Sequence, residues 1–265
     1  MTLDLERELQ GHQVELITGT GLASFAAAAD GRVSHVILED ARRIATDLVL
    51  LAIGVRPNVG LVLDAGLAIG VSGAIAVDAF QRTSDPDIYA AGDVAEVIHG
   101  VTGKPARIPL AGPANKQGRL AGEHAASGNI ATGVSKVLGT AIVQVFSLAL
   151  GITGLSEEAA RKAGLDVDTA YVNGNDHAAY YPGAQPLKIK LVYERITGRV
   201  LGGQITGKAG IDKRLDVLAT LLYFGGSIDD LAALDLAYAP QFGSAKDPLH
   251  MAAFVAQNQQ RALTP

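Results

Sequence analysis

Thr83-Ser84-Asp85-Pro86-Asp87-Ile88-Tyr89-Ala90-Ala91-Gly92-Asp93 decides how the rest of this chain is read. Ile88 to Ala91 is a short apolar run with β-branched and aromatic character, set behind the turn chemistry of Asp85-Pro86-Asp87. The spacing predicts a buried strand that stops at Gly92-Asp93. A glycine at such an end lets the backbone approach a phosphate or sugar, and the aspartate offers acceptor oxygens to ligand hydroxyls. Taken alone, the same residues also describe an ordinary strand that runs into an exposed Asp in a turn.

Composition narrows the setting. With 265 residues, 48% of them hydrophobic, the chain can bury sizeable cores in two domains. A formal net charge of -5 gives no electrostatic footprint for nucleic acid or an anionic membrane. Val137 to Ser156 carries no formal charge and is long enough to raise a membrane span, but Gln144, three glycines and several Ser/Thr point to a buried strand plus turn. Met1 to Gln10 is charged and amphipathic, unlike a secretory leader, so a cytoplasmic protein is expected. The sequence holds no cysteine. That excludes disulfides, thiolate metal ligands and a cysteine nucleophile within these residues. None of the six His shows ligand spacing with another His or a carboxylate on an expected helix, so no metal is expected.

Before the central stretch, Leu3 to Leu9 has helical spacing and Val14 to Ile17 reads as a strand. Leu22 to Ala29 and Arg32 to Leu38 form an expected hairpin about Asp30-Gly31, a type I′ pair, and Ala45 to Gly54 is a further strand. After it, Ala114 to Ala126 reads as a helix behind Gly112-Pro113, with proline near its first turn. Its N-terminus presents unpaired N–H groups and partial positive charge. Asn115 and Arg119 lie four apart on one face, where they suit a phosphate or carboxylate and equally suit a solvated face. Ser156 caps Glu157 to Ala163, which Gly164 stops. Val167 to Val172, Leu187 to Tyr193 and Arg199 to Thr206 read as an antiparallel meander turning at Thr197-Gly198. Asp212 to Phe224, Ser227 to Leu234 and Pro248 to Ala262 read as helices, which makes this block α+β.

The full string Thr83 to Asp93 resembles the second FAD-binding motif of flavoproteins with two dinucleotide-binding folds. Leu51-Ala-Ile-Gly-Val-Arg-Pro-Asn58 resembles the strand that leads from their NAD(P)H domain back into their FAD domain. Ile108-Pro-Leu-Ala-Gly-Pro-Ala-Asn-Lys-Gln-Gly-Arg119 and Tyr238-Ala-Pro-Gln-Phe-Gly-Ser-Ala-Lys-Asp-Pro248 resemble the coenzyme A-disulfide reductase and NADH oxidase branch of the pyridine nucleotide-disulfide oxidoreductases. The implied fold class is α/β plus α+β: a partial two-dinucleotide-binding flavoprotein fold, then an α+β dimerisation domain with a mostly antiparallel sheet. Residues 1–54 match the C-terminal half of the NAD(P)H-binding domain, 55–135 that of the FAD-binding domain, and 136–265 the dimerisation domain. The Gly-x-Gly-x-x-Gly turn that opens each dinucleotide fold is absent from this sequence.

The resemblance implies roles residue by residue. Gly92 and Asp93 would hold the ribityl chain of FAD, with Pro109, Leu110 and Ala111 at the flavin ring and Phe242 as a flavin-side contact. Asn115 and Arg119 would face the pyrophosphate of coenzyme A. Tyr238 and Tyr180, with Tyr181 as the lesser candidate beside Tyr180, would reach across a homodimer to the partner's cysteine and the coenzyme A thiol. The implied activity is FAD-dependent oxidation of NAD(P)H, with coenzyme A disulfide, a peroxide or dioxygen as acceptor. A non-catalytic dimerisation module, or a truncated gene product, is the competing expectation. A flavin monooxygenase or ferredoxin reductase fits Gly92-Asp93 but not Tyr238 to Pro248.

Overall fold

Local sequence signals build most of the secondary structure, and the long-range ladders decide which extended segments become strands. The computed structural model describes residues 1–128, 133 and 136–263. The chain forms two compact units, Glu6–Arg56 and Met1–Leu5 with Pro57–Pro265. The domain boundary expected at Ser135 lies outside the described residues.

Helix α1 (Thr2–Gly11) is followed in the smaller unit by a three-stranded antiparallel sheet of β1 (Leu22–Ala27), β2 (Val33–Leu38) and β3 (Arg43–Ala45), in that order. The hairpin between β1 and β2 is present, but its turn is not type I′. Only Gly31 has positive φ, its N–H bonds the Ala28 carbonyl at 3.0 Å, and the register shifts between Ala26 and Ala27. That is a type I turn followed by a left-handed glycine and a bulge. Two expected strands are corrected. Val14 to Ile17 forms no ladder, and the third strand is Arg43–Ala45 rather than Ala45 to Gly54. A strand requires a run of partners for its N–H and C=O groups, and beyond the Thr46 N–H, which bonds the Ser34 carbonyl at 3.0 Å, Leu48 to Ile53 join no ladder among the described residues.

From Pro57 onward the larger unit has two short elements, α2 (Gly60–Asp64) and the two-stranded pair β4 (Val97–Ile98) with β5 (Pro105–Ala106), and then the long helix α3 (Ala111–Ser127). The strand expected at Ile88 to Ala91 is also corrected, because among the described residues it forms a single isolated bridge, from Tyr89 to Arg82, and no ladder. The segment exchanges two backbone bonds with Gln81 and Thr83 but joins no buried sheet among the described residues.

The rest is a five-stranded antiparallel sheet in the order β6-β7-β10-β9-β8, built from β6 (Ala141–Val145), β7 (Leu148–Gly154), β8 (Val167–Asn175), β9 (Pro186–Glu194) and β10 (Val200–Gly207). Val137 to Ser156 is thus two strands turning at Phe146, rather than one buried strand, and β6 is a largely exposed edge. Helix α4 (Glu157–Lys162) has the Ser156 hydroxyl accepting the Ala159 N–H at 3.1 Å. Three further helices follow: α5 (Ile211–Phe224), α6 (Ile228–Ala233), with a complete capping box from Ser227 and Asp230, and α7 (Pro248–Leu263).

Strand β9 shows why the sheet is two-sided. Leu187, Ile189, Leu191 and Tyr193 alternate into one core with Leu215 and Leu218 of α5 and Leu249, Ala252, Ala253 and Ala256 of α7. Val192 faces the other way, into a smaller core with Val167, Leu201, Leu155 and Ala160. Helix α5 lies close because a Cβ at Gly203 would stand 2.6 Å from the Leu218 side chain. Among the described residues, no helix is long and apolar enough to cross a membrane.

Candidate functional site

The turn that ends the central stretch is fastened to one face of α3. Gly92 has φ +85°, and its N–H donates to Gln117 Oε1 at 2.9 Å. A Cβ at Gly92 would meet only Ala114 at an ordinary 3.8 Å, so the backbone angle, and not space, demands glycine. Two turns further along α3, Tyr89 Oη lies 2.7 Å from His124 Nδ1, with Phe80 stacked on the imidazole. Gln117 and His124 are seven apart on the buried face, so one helix stripe holds both Tyr89 and Gly92. Sequence reasoning missed both residues. The available signal was two polar side chains at core positions of an otherwise apolar stripe.

Two polar groups beside this fastening have no partner among the described residues. Gln117 is 1% exposed, and its Nε2 has no hydrogen-bond partner among the described residues. A buried amide donor left unpaired costs about 1–3 kcal/mol, a cost that an oxygen acceptor placed against Gln117 would relieve. The Asp93 carboxylate is exposed and makes no hydrogen bond or ion pair among the described residues. Leu110, extended at φ -134°, precedes α3, and no side chain caps the helix. Pro113 sits in the first turn, where its missing N–H costs no helical bond. The helix therefore offers free N–H groups and partial positive charge just after Pro109, Leu110 and Ala111. A ligand with hydroxyls, a pyrophosphate or a ring that gains negative charge fits this set of donors and acceptors.

Asn115 and Arg119 are both exposed on α3. A groove of about 910 Å³ between α3, Val137 to Thr140 and the end of α5 is lined by Lys116 and Arg119 as well as Tyr223 and Phe224, and Asn115 lies outside that lining. Neither Lys116 nor Arg119 has an acidic partner among the described residues. Among the described residues no cluster of three metal-ligating side chains occurs.

The second site is a patch of aromatic side chains on two loops. Tyr180 and Tyr238, 58 residues apart in sequence, share a hydrogen bond of 3.0 Å between hydroxyls and are 75% and 49% exposed. The bond to Tyr238 pushes the Tyr180 phenol above its ordinary range. Tyr181 takes another course, edge-on to His177 with ring centroids 5.7 Å apart. Phe242, two-thirds exposed, follows Tyr238 on the same loop.

Beneath the patch lies a buried polar layer. Arg214, 1% exposed, donates to both carboxylate oxygens of Asp247 and to the carbonyls of Gly210 and Asp176. Asp176 in turn accepts the Gln185 N–H at 2.7 Å and faces His177 Nδ1 at 2.9 Å. Burial acts to raise the Asp176 carboxyl, but the Gln185 amide and His177 hold it below the usual carboxylate range.

Comparison with known proteins gives a consistent picture. Residues 2–118 match the family model described as pyridine nucleotide-disulphide oxidoreductase, and residues 140–248 match the dimerisation domain of the same family. The chain is 43% identical over 218 residues to a "NAD(P)H sulfur oxidoreductase (CoA-dependent)" of Pyrococcus furiosus, covering 82% of this chain and 48% of that protein. It is 33% identical to an NADH oxidase of Enterococcus faecalis, over 90% of this chain and 52% of the relative. A NAD-dependent persulfide reductase from A. fulgidus superposes with a TM-score of 0.94 at 39% identity, covering 99% of this chain and 48% of that one. The chain thus spans about half the length of the curated relatives it matches.

Proposed function

This chain belongs to the pyridine nucleotide-disulphide oxidoreductases, and on that premise we propose that it supplies half of the flavin site and the dimer interface of an FAD-dependent NAD(P)H oxidoreductase. The electron acceptor in this reading is coenzyme A disulfide, a related persulfide, peroxide or dioxygen. The assembly is a cytoplasmic homodimer joined through residues 140–263. The observation that supports the proposal is the Gly92–Gln117 fastening, which ties the turn ending in Asp93 to α3, a helix with an uncapped start and a buried, unpaired Gln117 amide.

FAD, when bound, supplies the chemistry of taking a hydride from NAD(P)H and handing the electron pair to the acceptor. Each residue of this chain has a narrower task. Asp93 accepts hydrogen bonds from ribityl hydroxyls, and Gln117 Nε2 donates to an oxygen of the same ligand. The backbone after Pro109-Leu110-Ala111 stabilises negative charge through the N-terminal dipole of α3. Asn115 and Arg119 receive the phosphates of coenzyme A, Arg119 as a charged donor. Tyr180 and Tyr238 donate a proton toward a departing thiolate in the partner subunit, with Tyr181 behind them, and Phe242 packs at the flavin side.

The competing reading, a non-catalytic dimerisation module, rests on the complete absence of cysteine from the sequence. One experiment separates the two. Residues 1–265 are fused behind the portion of the Pyrococcus furiosus relative that this chain does not cover. A folded chimaera that is yellow after gel filtration, and whose flavin is bleached by NADH, supports the proposal; Asp93→Ala should then release most of the flavin. A folded but colourless chimaera leaves the module reading in its place. The chain by itself is expected to elute without flavin, because Asp93 and Gln117 hold only one end of such a ligand.

A further inference from the structure

The tyrosine pair raises a mechanical question. Both phenols stand on loops, are largely exposed, and share one hydrogen bond that would be lost with a small displacement of either loop. Exposed hydrogen bonds between mobile side chains are weak because water competes for them. Something beneath must fix the two loops against each other.

We propose that Arg214 is the positioning residue of this pair: its buried guanidinium locks the loops of Tyr180 and Tyr238 into one arrangement, so that the two phenols work as a single hydrogen-bonded donor. The functional meaning of that donor rests on the reading given under Proposed function. The clamp itself rests on geometry. Arg214 stands in the first turns of α5 and reaches three segments. Its Nε lies 2.9 and 3.1 Å from the two Asp247 oxygens, and Nη2 donates to Asp247 Oδ2 at 2.7 Å. The same Nη2 donates to the Asp176 carbonyl at 2.9 Å, and Nη1 to the Gly210 carbonyl at 2.9 Å. Asp176 opens the loop that carries Tyr180, and Asp247 closes the loop that carries Tyr238.

Each loop is then tied off locally. Asp176 exchanges backbone and side-chain bonds with Gln185, and His177 spans from the Asp176 carboxylate to the Pro182 carbonyl. On the other loop, Asp247 Oδ1 also accepts the Leu249 N–H at 3.0 Å, which anchors it to the start of α7. The loops meet where the Ala178 N–H donates to the Pro240 carbonyl at 3.1 Å, and Lys213, the neighbour of Arg214, reaches the Phe242 carbonyl. Gly210 completes the fit, since a Cβ there would stand 2.6 Å from Arg214 Nη1. The charged and titratable groups about the clamp are therefore Asp176, His177, Lys213, Arg214 and Asp247, and none of them contacts either phenol directly.

Within the pair one hydroxyl donates to the other, so only one proton remains free to point outward. Loss of the first proton leaves a phenolate held by its neighbour, and loss of the second is resisted. The raised position of Tyr180 is consistent with this coupling.

The test uses the chain itself, labelled at the tyrosine ζ-carbons and titrated by ¹³C NMR. Tyr193, whose hydroxyl bonds Gln259 at 3.0 Å away from the clamp, reports whether the domain core is intact. In the unaltered chain Tyr180 should titrate above the ordinary 10.0, and Tyr238→Phe should return it there. Arg214→Lys keeps a positive charge beside Asp247 but cannot bridge Asp247 and the Asp176 carbonyl. It should likewise drop Tyr180 to its ordinary midpoint and leave Tyr193 in place. A clamp that only stabilises the domain would lower the melting temperature and leave Tyr180 raised, and that result overturns the proposal. Should Arg214→Lys not fold, Asp247→Asn is read by the same criterion, because it retains the acceptor for Leu249. The two readings fail separately. A raised Tyr180 in Arg214→Lys sinks the clamp even if the chimaera is an active flavoprotein, whereas a released Tyr180 sustains it even if the chimaera is colourless.

Discussion

The sheet of residues 141–207 and the extended segments before residue 95 are made from the same kinds of residue and end in opposite conditions. Leu187, Ile189 and Leu191 of β9 are fully buried, with a ladder on each side. Leu48, Leu50, Leu51 and Ile53 are more than half exposed, with no ladder at all. The difference lies in topology. An antiparallel meander finds its neighbours through short turns, as β9 and β10 do across Thr197-Gly198. A run of apolar residues that needs parallel neighbours requires crossover connections, and no such partner occurs among the described residues. Apolar content makes a segment ready for a sheet, and only a partner makes it a strand.

The largest consequence of that contrast is in local stability. Backbone amides of β9 and β10 should exchange with solvent only on global unfolding, whereas those of Leu48 to Ile53 have no acceptor among the described residues to protect them. Hydrogen exchange followed by mass spectrometry should show on the order of 10⁴-fold slower exchange in the former. Protection of Leu48 to Ile53 in the isolated chain would break the comparison, since it would reveal a ladder that the structure does not contain.

Side-chain truncation asks the same question at smaller scale. Leu218 is fully buried against Gly203, whereas Leu50 is 84% exposed. Leu218→Ala should destabilise the chain by about 2–5 kcal/mol, and Leu50→Ala should stay within about 0.5 kcal/mol of the parent in urea unfolding. Equal losses would mean that the exposed leucine is packed in solution.

The smallest effect sharpens the comparison inside the sheet domain. Burial, helped by the nearby Asp168 charge, pushes the Tyr193 phenol up to about 12 from an ordinary 10.0. The folded state therefore binds this proton more tightly than the unfolded state. The associated stability is complete below pH 10 and is lost as pH rises toward 12. It amounts to roughly 2–3 kcal/mol. Tyr193→Phe should flatten that stretch of the stability profile, measured by urea unfolding at successive pH values. An unchanged alkaline slope would place the titrating group elsewhere.

Much of this molecule was legible from short range. Ser156 and Ser227 announced their helices, Gly164 and Gly198 their turns, and Leu187 to Tyr193 and Arg199 to Thr206 their antiparallel strands, because caps, turns and periodicity act within a few residues. Gly92-Asp93 stood out for the same reason, as a glycine that allows close backbone approach beside an acceptor side chain, while its positive φ came only with the structure. By itself the sequence also determined what chemistry these residues do not supply, through the absence of cysteine. Tertiary structure decided the rest. The strands expected at Val14 to Ile17, Ala45 to Gly54 and Ile88 to Ala91 depended on neighbours that no local pattern guarantees. The Tyr180–Tyr238 bond, the hold of Gln117 on Gly92 and of His124 on Tyr89, and the reach of Arg214 to Asp176 and Asp247 each join residues 25 to 58 positions apart. Hydrogen bonds of that span exist only once the chain has folded, because a buried polar group takes whatever partner the completed core brings to it.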